Sequence, residues 1–378
     1  MKFSCVTSNL LQALHLAGRA IGAQQALPIL GNVLLEAEGK RCTFSATDLE
    51  LSIITSLEAK VENEGSVAIP VKAILNFAQY NTDTEVLLET IEGTQLRCTS
   101  KHARTLIAGE PASEYPTISG VEKQTSLTLA AEPFIEALHL VTFASAKSSM
   151  RPVLSGVHIR TEKGKLVLVA TDSYRLSEYK IPSPKIDTDI SCIIPAKILE
   201  ELKAVLGARR TEKEKKVDST LEVILSKQQV EFQIGMTRLL SRLIDGKFPN
   251  YEQIIPQNTV TTAQFRTSEL ITATRRMHYF AKEVNNNLTF HLSHGQARIV
   301  TPQTQIGRDE ALLTTDVNGK ENKIALSSSY LLDFLNHIER DQVEMSMTDS
   351  VHPAVFSIPS EKAFLHLIMP LRMQEEEK

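Results

Sequence analysis

The sequence predicts an α+β protein with three similar domains in one chain. Two observations carry this: a long internal repeat, and a recurring order of strand, helix, strands, helix, strands. Ala13-Leu14-His15-Leu16 returns as Ala137-Leu138-His139-Leu140. Pro28-Ile29-Leu30 returns as Pro152-Val153-Leu154, and Ala46-Thr47-Asp48 as Ala170-Thr171-Asp172, all at one separation. Ile69-Pro70-Val71-Lys72 matches Ile194-Pro195-Ala196-Lys197 one residue out of step, and Tyr115-Pro116 matches Phe248-Pro249. Solenoid repeats run roughly 20–50 residues, so a longer period marks a duplicated domain.

In the first copy Ser8 is placed to cap a helix with Leu10, Leu11, Leu14 and Ala17 on one side and Gln12, His15 and Arg19 on the other. Asn32 to Ala37 and Cys42 to Ser45 read as strands around the Glu38-Gly39-Lys40 turn. A second helix begins after Pro70 with Ile74, Leu75 and Ala78 inward. Strands 85–90 and 95–99 flank a Glu92-Gly93 turn.

The second copy has Pro133 near the start of its first helix, with Phe134, Ile135, Leu138 and Val141 facing a core. Its other helix, after Pro195, carries Ile198, Leu199, Leu202 and Val205 inward and Lys197 and Lys203 outward beside Glu200 and Glu201. Residues 207–218 are highly charged with no apolar period and read as a mobile surface loop.

The 378 residues leave room for a third copy, since domains usually run about 100–150 residues. A helix from Ser268 to Lys282, strands 288–292 and 297–300, Ile324-Ala325-Leu326, a helix from Ser328 to Ile338 and Phe364 to Ile368 repeat the order without the identity. Boundaries near Gly120-Val121-Glu122-Lys123 and Pro256-Gln257-Asn258 give domains 1–122, 123–256 and 257–378. The acidic tail Gln374 to Lys378 reads as disordered.

Hydrophobic content of 42% and charged content of 23% are ordinary for a globular protein. No apolar run approaches the ~20 residues of a membrane span, and Met1 to Cys5 reads as a strand, not a signal core. Cys5, Cys42, Cys98 and Cys192 are scattered without CxxC spacing, which points away from zinc and toward a reducing cytoplasm. A net charge of −4 argues against coating nucleic acid with the whole surface, while leaving room for one basic face. With no tryptophan and 5% aromatics, single-strand stacking platforms are not expected.

Catalytic motifs are missing. Gly164-Lys165 is followed by Leu166 in a hairpin, not by the Ser or Thr of a phosphate loop, and HExxH and GxSxG do not occur. His291 and His294 fall on opposite faces of a strand, so they do not form a metal pair. Asp48 and Asp172 are better read as turn residues that satisfy backbone donors than as paired acids, because a duplicated turn needs the same residue twice.

Five motifs, in order along essentially the whole chain, resemble a known family. They are Leu27-Pro28-Ile29-Leu30-Gly31-Asn32, Ala46-Thr47-Asp48-Leu49-Glu50, Val169 to Leu176, Asp245-Gly246-Lys247-Phe248-Pro249-Asn250-Tyr251 and Met369-Pro370-Leu371-Arg372. Together they look like the bacterial sliding clamps, the beta subunits of DNA polymerase III. The resemblance implies three DNA-clamp domains, each with two inner helices and outer antiparallel sheets. It implies a head-to-tail homodimer that closes a six-domain ring around duplex DNA, with no catalytic residue, metal or cofactor. Retention on DNA is then topological and independent of sequence.

Further expectations follow from the resemblance. The inward basic residues are Lys147, Arg151, Lys197, Lys203, Arg275 and Arg276. Gln24 and Gln25 stand where the family often has a basic loop residue. Peptides of the polymerase alpha subunit, the clamp loader and other polymerases and repair proteins are expected in a pocket between the second and third domains. Its matching positions are Leu154, Thr171, Ser173, Tyr174, Arg175, Leu176, Pro249, Gln253 and Ile254, with Val351, Pro353, Leu367, Met369, Pro370, Leu371 and Arg372. Tyr174, Gln253 and Pro353 stand where the family commonly has smaller or basic residues, which shifts the expected partner preference. The ring interface is expected to join Thr105 and Ile107 to Tyr279 and Phe280 of the next chain. Two other classes stay open: a monomeric peptide-binding scaffold, and a three-domain enzyme with an unrecognised site.

Overall fold

A computed structural model of the chain describes residues 1–22, 27–147, 150–182, 189–210 and 220–373, with backbone alone at 208–210. Among the described residues there are six α-helices. They are α1 (Thr7–Gly18), α2 (Val71–Tyr80), α3 (Ala131–Val141), α4 (Ala196–Arg210), α5 (Thr267–Ala281) and α6 (Ser328–Leu335). A strand precedes each odd-numbered helix, and three or more strands separate it from the next. The two copies of the Pro-Ile/Val-Leu motif both fold as a 3₁₀ turn, Pro28–Gly31 and Pro152–Ser155.

The chain packs as two compact units: Met1–Glu132 with Glu200–Leu243, and Pro133–Leu199 with Ile244–Lys378. The first unit holds an eight-stranded antiparallel sheet. Thr125–Ala130, Thr220–Leu225, Gln229–Ile234 and Thr237–Arg242 run on into Leu51–Glu58, Arg41–Thr47, Asn32–Glu38 and Gly65–Pro70. At the seam Leu239 is the register partner of Ile53, and Thr237 Oγ1 lies 2.9 Å from Thr55 Oγ1. A five-stranded sheet in the same unit ends on Arg104–Ile107 as its outer strand. Helix α1 packs on α2 and on the strands Arg41–Thr47 and Leu51–Glu58, burying Leu10, Leu14, Ile74 and Phe44.

The second unit repeats the plan. Ser191–Pro195, Gly156–Glu162, Lys165–Thr171 and Arg175–Pro182 run on into Glu361–Ile368, Ala354–Ile358, Gln342–Met347, Thr261–Arg266 and Asp316–Gly319. A four-stranded sheet ends on Glu310–Thr314 as its outer strand. Each repeat thus makes two half-sheets. The halves of the middle repeat are each continuous with a half from a neighbouring repeat. Compact units therefore cut through the middle repeat, since continuous hydrogen-bonded sheets cannot be divided where the sequence repeat ends.

Three sequence expectations are corrected. Helix α1 begins at Thr7, not after a Ser8 cap; Val6 flanks it without a side-chain cap, and the Thr7 hydroxyl donates to the Asp83 carbonyl at 2.6 Å. Helix α4 runs to Arg210, four residues into the segment read as a loop, because Ala and Arg are strong helix formers. Helix α6 stops at Leu335, short of Ile338. Residues 211–218, Gln24, Gln25 and the acidic tail lie outside the described residues.

Candidate partner-binding site

The expected pocket residues all fall in the second unit. The site grows from the seam between Arg175–Pro182 and Glu361–Ile368, where Arg175 pairs with Ile368, Leu176 with Leu367 and Ser177 with His366. The seam continues one step further, since Met369 N–H donates to the Tyr174 carbonyl at 2.8 Å. Ala354 is the other register partner of Ile368, so the Val351–Pro353 loop lies at the same sheet end as Met369. The C-terminal run is held by two more bonds: Leu371 N–H donates to the Ala325 carbonyl at 2.8 Å, and the Arg372 carbonyl accepts from Asn287 Nδ2 at 3.1 Å.

Strand alternation sends Leu176 and Leu367 to one face. There they form a buried cluster with Val167, Val169, Ile193, Phe248 and Tyr251, with Val153, Ile244 and Val355 partly covered against it. The segment bearing Pro249, Gln253 and Ile254 is fixed over this face by polar bonds. The Tyr251 hydroxyl donates to Glu178 Oε2 at 2.5 Å, and Arg160 Nη2 donates to the Tyr251 hydroxyl at 2.8 Å and to Glu252 at 2.9 Å. Burial and the Glu178 carboxylate push the Tyr251 phenol well above its ordinary range.

The other face carries Arg175 and His366. Arg175 is buried, and its guanidinium bonds to Asp172 at 3.1 Å, Asp333 at 2.5 Å and the Phe143 carbonyl at 2.7 Å. His366 is fully buried, stacked 4.5 Å from Phe334, with Nδ1 at 2.7 Å from Ser177 Oγ. Burial, and then Arg175, hold the His366 imidazole well below its ordinary range.

The expected pocket residues divide by exposure. Leu154, Leu176, Leu367, Thr171, Arg175 and Pro353 are buried and form the frame. Met369, Pro370 and Leu371 are half-buried. Ser173, Tyr174, Pro249, Gln253, Ile254, Val351 and Arg372 are exposed around them. Reading the sequence missed Val153, Tyr330 and Asp333, and gave no role to Tyr251, Glu178 or Arg160. Tyr251 carried a signal as the end of the Asp245 to Tyr251 motif, and Val153 as the middle of the repeated Pro152-Val153-Leu154.

The remaining candidates sit elsewhere. Lys147, Arg151, Lys197, Arg275 and Arg276 are exposed, and Lys203 is half-buried with Nζ at 2.6 Å from Glu200. Arg275 donates to Asn336 Oδ1 at 2.8 Å on the α6 side, while Arg276 donates to Asp309 at 2.8 Å and to the Glu310 carbonyl at 2.9 Å. Tyr279 is exposed beside the half-buried Phe280. On the outer strand Arg104–Ile107, Thr105 is half-buried and Ile107 is 5% exposed, whereas Leu106 is 56% exposed. The apolar side chain that strand offers is therefore Leu106, because pleating turns Ile107 into the core.

The Asp48 and Asp172 turns match bond for bond. Asp48 Oδ1 accepts from Glu50 and Leu51, and Asp172 Oδ1 from Tyr174 and Arg175. Among the described residues no cluster of three His, Cys, Asp or Glu could hold a metal ion, and no helix is long and apolar enough to cross a membrane. Burial pushes the Cys5, Cys98 and Cys192 thiols up to about 12.

Comparison with known proteins agrees with this architecture. Family models of the DNA polymerase III beta subunit match residues 1–119 (N-terminal domain), 128–250 (central domain) and 252–372 (C-terminal domain). A beta sliding clamp from Synechocystis is 28% identical, covering 99% of this chain and 100% of its own. One from Vibrio cholerae is also 28% identical over the same shares. The crystal structure of a DNA polymerase sliding clamp from Bacillus subtilis superposes with a TM-score of 0.91 at 24% identity, covering 99% of this chain and 100% of that one. A sliding clamp from Pseudomonas aeruginosa bound to griselimycin gives 0.89 at 24% identity with the same coverage. The chain belongs to the DNA polymerase III beta-subunit family, with three clamp domains, and its function is that of a sliding clamp, the processivity factor of replication.

Proposed function

We propose that two copies close head to tail into a ring around duplex DNA, with domains 1–122, 123–256 and 257–378 as its quasi-equivalent segments. The carrying observation is the pattern of sheet seams. Thr237–Arg242 pairs with Leu51–Glu58, and Glu361–Ile368 with Arg175–Pro182. In each seam the last strand of one repeat meets the third strand after the odd-numbered helix of the repeat before it. The same rule leaves two outer strands, Arg104–Ile107 and Glu310–Thr314, one for each side of an intermolecular seam. Both expose a leucine, Leu106 at 56% and Leu312 at 63%. Paired antiparallel, they remove edges that would otherwise invite misassembly, and heterologous contacts of this kind close by rotation. Tyr279 and Phe280 on α5 join Thr105 and Leu106 in that interface.

Such a ring works in the cytoplasm as a non-catalytic tether. Lys147, Arg151, Lys197, Lys203, Arg275 and Arg276 are the candidate phosphate contacts, few enough to leave binding weak, salt-sensitive and mobile. The site around Leu176, Val153 and Met369 takes the short apolar peptide of the polymerase alpha subunit, the clamp loader and repair proteins. After loading onto nicked circular duplex, the protein should stay bound and should leave when the circle is cut to a linear form. Equal retention on both forms would sink the topological reading.

A further inference from the structure

The first two odd-numbered helices each end against the even-numbered helix of the next repeat, or against the turn that follows it. Arg19, just past α1, donates from Nε to Glu201 of α4 at 2.7 Å. Phe143, just past α3, stacks on His337, just past α6, with 4.2 Å between centroids and 14° between planes. His139 of α3 lies 5.1 Å from the same imidazole, and Arg340 Nη2 donates to Glu136 at 3.3 Å. The third odd-numbered helix, α5, has no next repeat in its own chain.

Burial shows which residue of α5 takes the same place. Leu10, Ala13, Leu14 and Ala17 are buried on α1, Phe134, Ala137, Leu138 and Val141 on α3, and Leu270, Ala273, Thr274 and Met277 on α5, all at one spacing. The next residue but one is Arg19, Phe143 and Tyr279 in turn. On the even-numbered side, buried Val71, Ile74, Phe77 and Ala78 of α2 match Ser328, Leu331, Phe334 and Leu335 of α6. There the next residue but one is Tyr80 after α2's stripe and His337 after that of α6. The Phe143–His337 stack thus corresponds to two tyrosines, Tyr279 from the third repeat and Tyr80 from the first. They are the most exposed tyrosines of the chain, at 67% and 73%. Helix α5 lies against the outer strand Glu310–Thr314 and α2 against the outer strand Arg104–Ile107, so each tyrosine belongs to a helix beside one open edge. Tyr279 also meets Phe280 edge-on, 5.5 Å between centroids at 89°.

Resting on the ring reading above, we propose that Tyr80 of one protomer stacks on Tyr279 of the partner subunit, an aromatic pair that joins the two copies beside their paired outer strands. The strand Arg104–Ile107 offers one exposed apolar side chain, Leu106, so the contact needs a second anchor nearby. Paired rings gain beyond the area they bury, and tyrosine supplies contact area at low cost in side-chain freedom.

The test is a double-mutant cycle on the dimer dissociation constant, measured by sedimentation velocity over a dilution series for wild type, Tyr80→Ala, Tyr279→Ala and the double variant. Each single variant should weaken the dimer by about tenfold or more, because each substitution acts at both interfaces of the ring. The double variant should be little weaker than either single one, since the second ring removed has already lost its partner. Tyr80→Phe should stay within about threefold of wild type. Both sites are exposed, so melting temperatures should stay close to wild type. Losses that multiply, or no loss in either single variant, overturn the stack. So does normal dimerisation with a loss of duplex binding alone, which would turn the tyrosines toward DNA. Leu106→Arg separates the two failures. If it gives monomers while the tyrosine variants dimerise as wild type does, the ring stands and the stack falls; if wild type is itself monomeric throughout the series, the ring falls and the stack with it.

Discussion

Leu176 and Leu367 are register partners across one antiparallel seam, and both are fully buried. One comes from the second sequence repeat and the other from the third. Their pairing fuses two repeats into one sheet and underlies the candidate site.

Shortening either leucine should therefore cost fold and site together. Leu367→Ala should destabilise the protein by about 2–5 kcal/mol, the usual cost of a buried Leu-to-Ala change. Thermal or denaturant unfolding measures it. A loss below about 1 kcal/mol would mean that the seam is not packed as described.

At the outer strand, Leu106 and Ile107 should respond differently. Leu106→Arg should leave the melting temperature close to wild type and yield monomers by size-exclusion with light scattering. Ile107→Ala should lower stability by about 2–5 kcal/mol and leave assembly of the folded fraction intact. The reverse pattern would assign the interface to Ile107.

The lysines of α4 should also separate. Lys203 is half-buried with its ammonium 2.6 Å from Glu200, and Lys197 is exposed. Lys197→Ala should weaken duplex binding and reduce the magnitude of the salt slope by up to about 0.9, one phosphate contact. Lys203→Ala should change it less. Equal slopes for wild type and Lys197→Ala would return Lys197 to an ordinary solvated charge.

Acid should destabilise the protein through the buried His366 and the half-buried His158. Burial depresses His366 far below its ordinary value, and burial with Arg160 lowers His158 to about 4. Below about pH 6.5 the unfolded chain binds protons that these folded imidazoles refuse. Stability is thus present above that pH and falls as pH drops, by up to about 1.4 kcal/mol per unit for each histidine. For His158 the loss levels off near its folded value of about 4. His366→Phe should lower stability at neutral pH, by leaving Ser177 unpartnered, yet flatten the decline between pH 6.5 and 4. Urea melts across that range decide it; an unchanged slope would mean that His366 takes up its proton while folded.

Local order was legible because it is written in local terms. Pro70, Pro133 and Pro195 mark helix starts, apolar spacing gives the helix faces, and Thr-Asp turns recur with the same bonds. The repeat alone gave a duplicated α+β fold, and the family motifs gave the clamp. Tertiary structure decided what depends on partners distant in the chain. Residues 207–210 look like a loop on charge, yet α4 extends to Arg210 because helix propensity outlasts the apolar stripe. The resemblance names Ile107 as an interface residue; that its side chain is 5% exposed and that of Leu106 56% depends on strand pairing that no local pattern fixes. The resemblance names Arg175 as a pocket residue; that it bonds to Asp333 and the Phe143 carbonyl and lies over the Tyr330 ring is set by tertiary contacts alone. Sequence periodicity sets which face of an element is apolar; only the sheet seams decide which apolar face becomes core and which remains open to a partner.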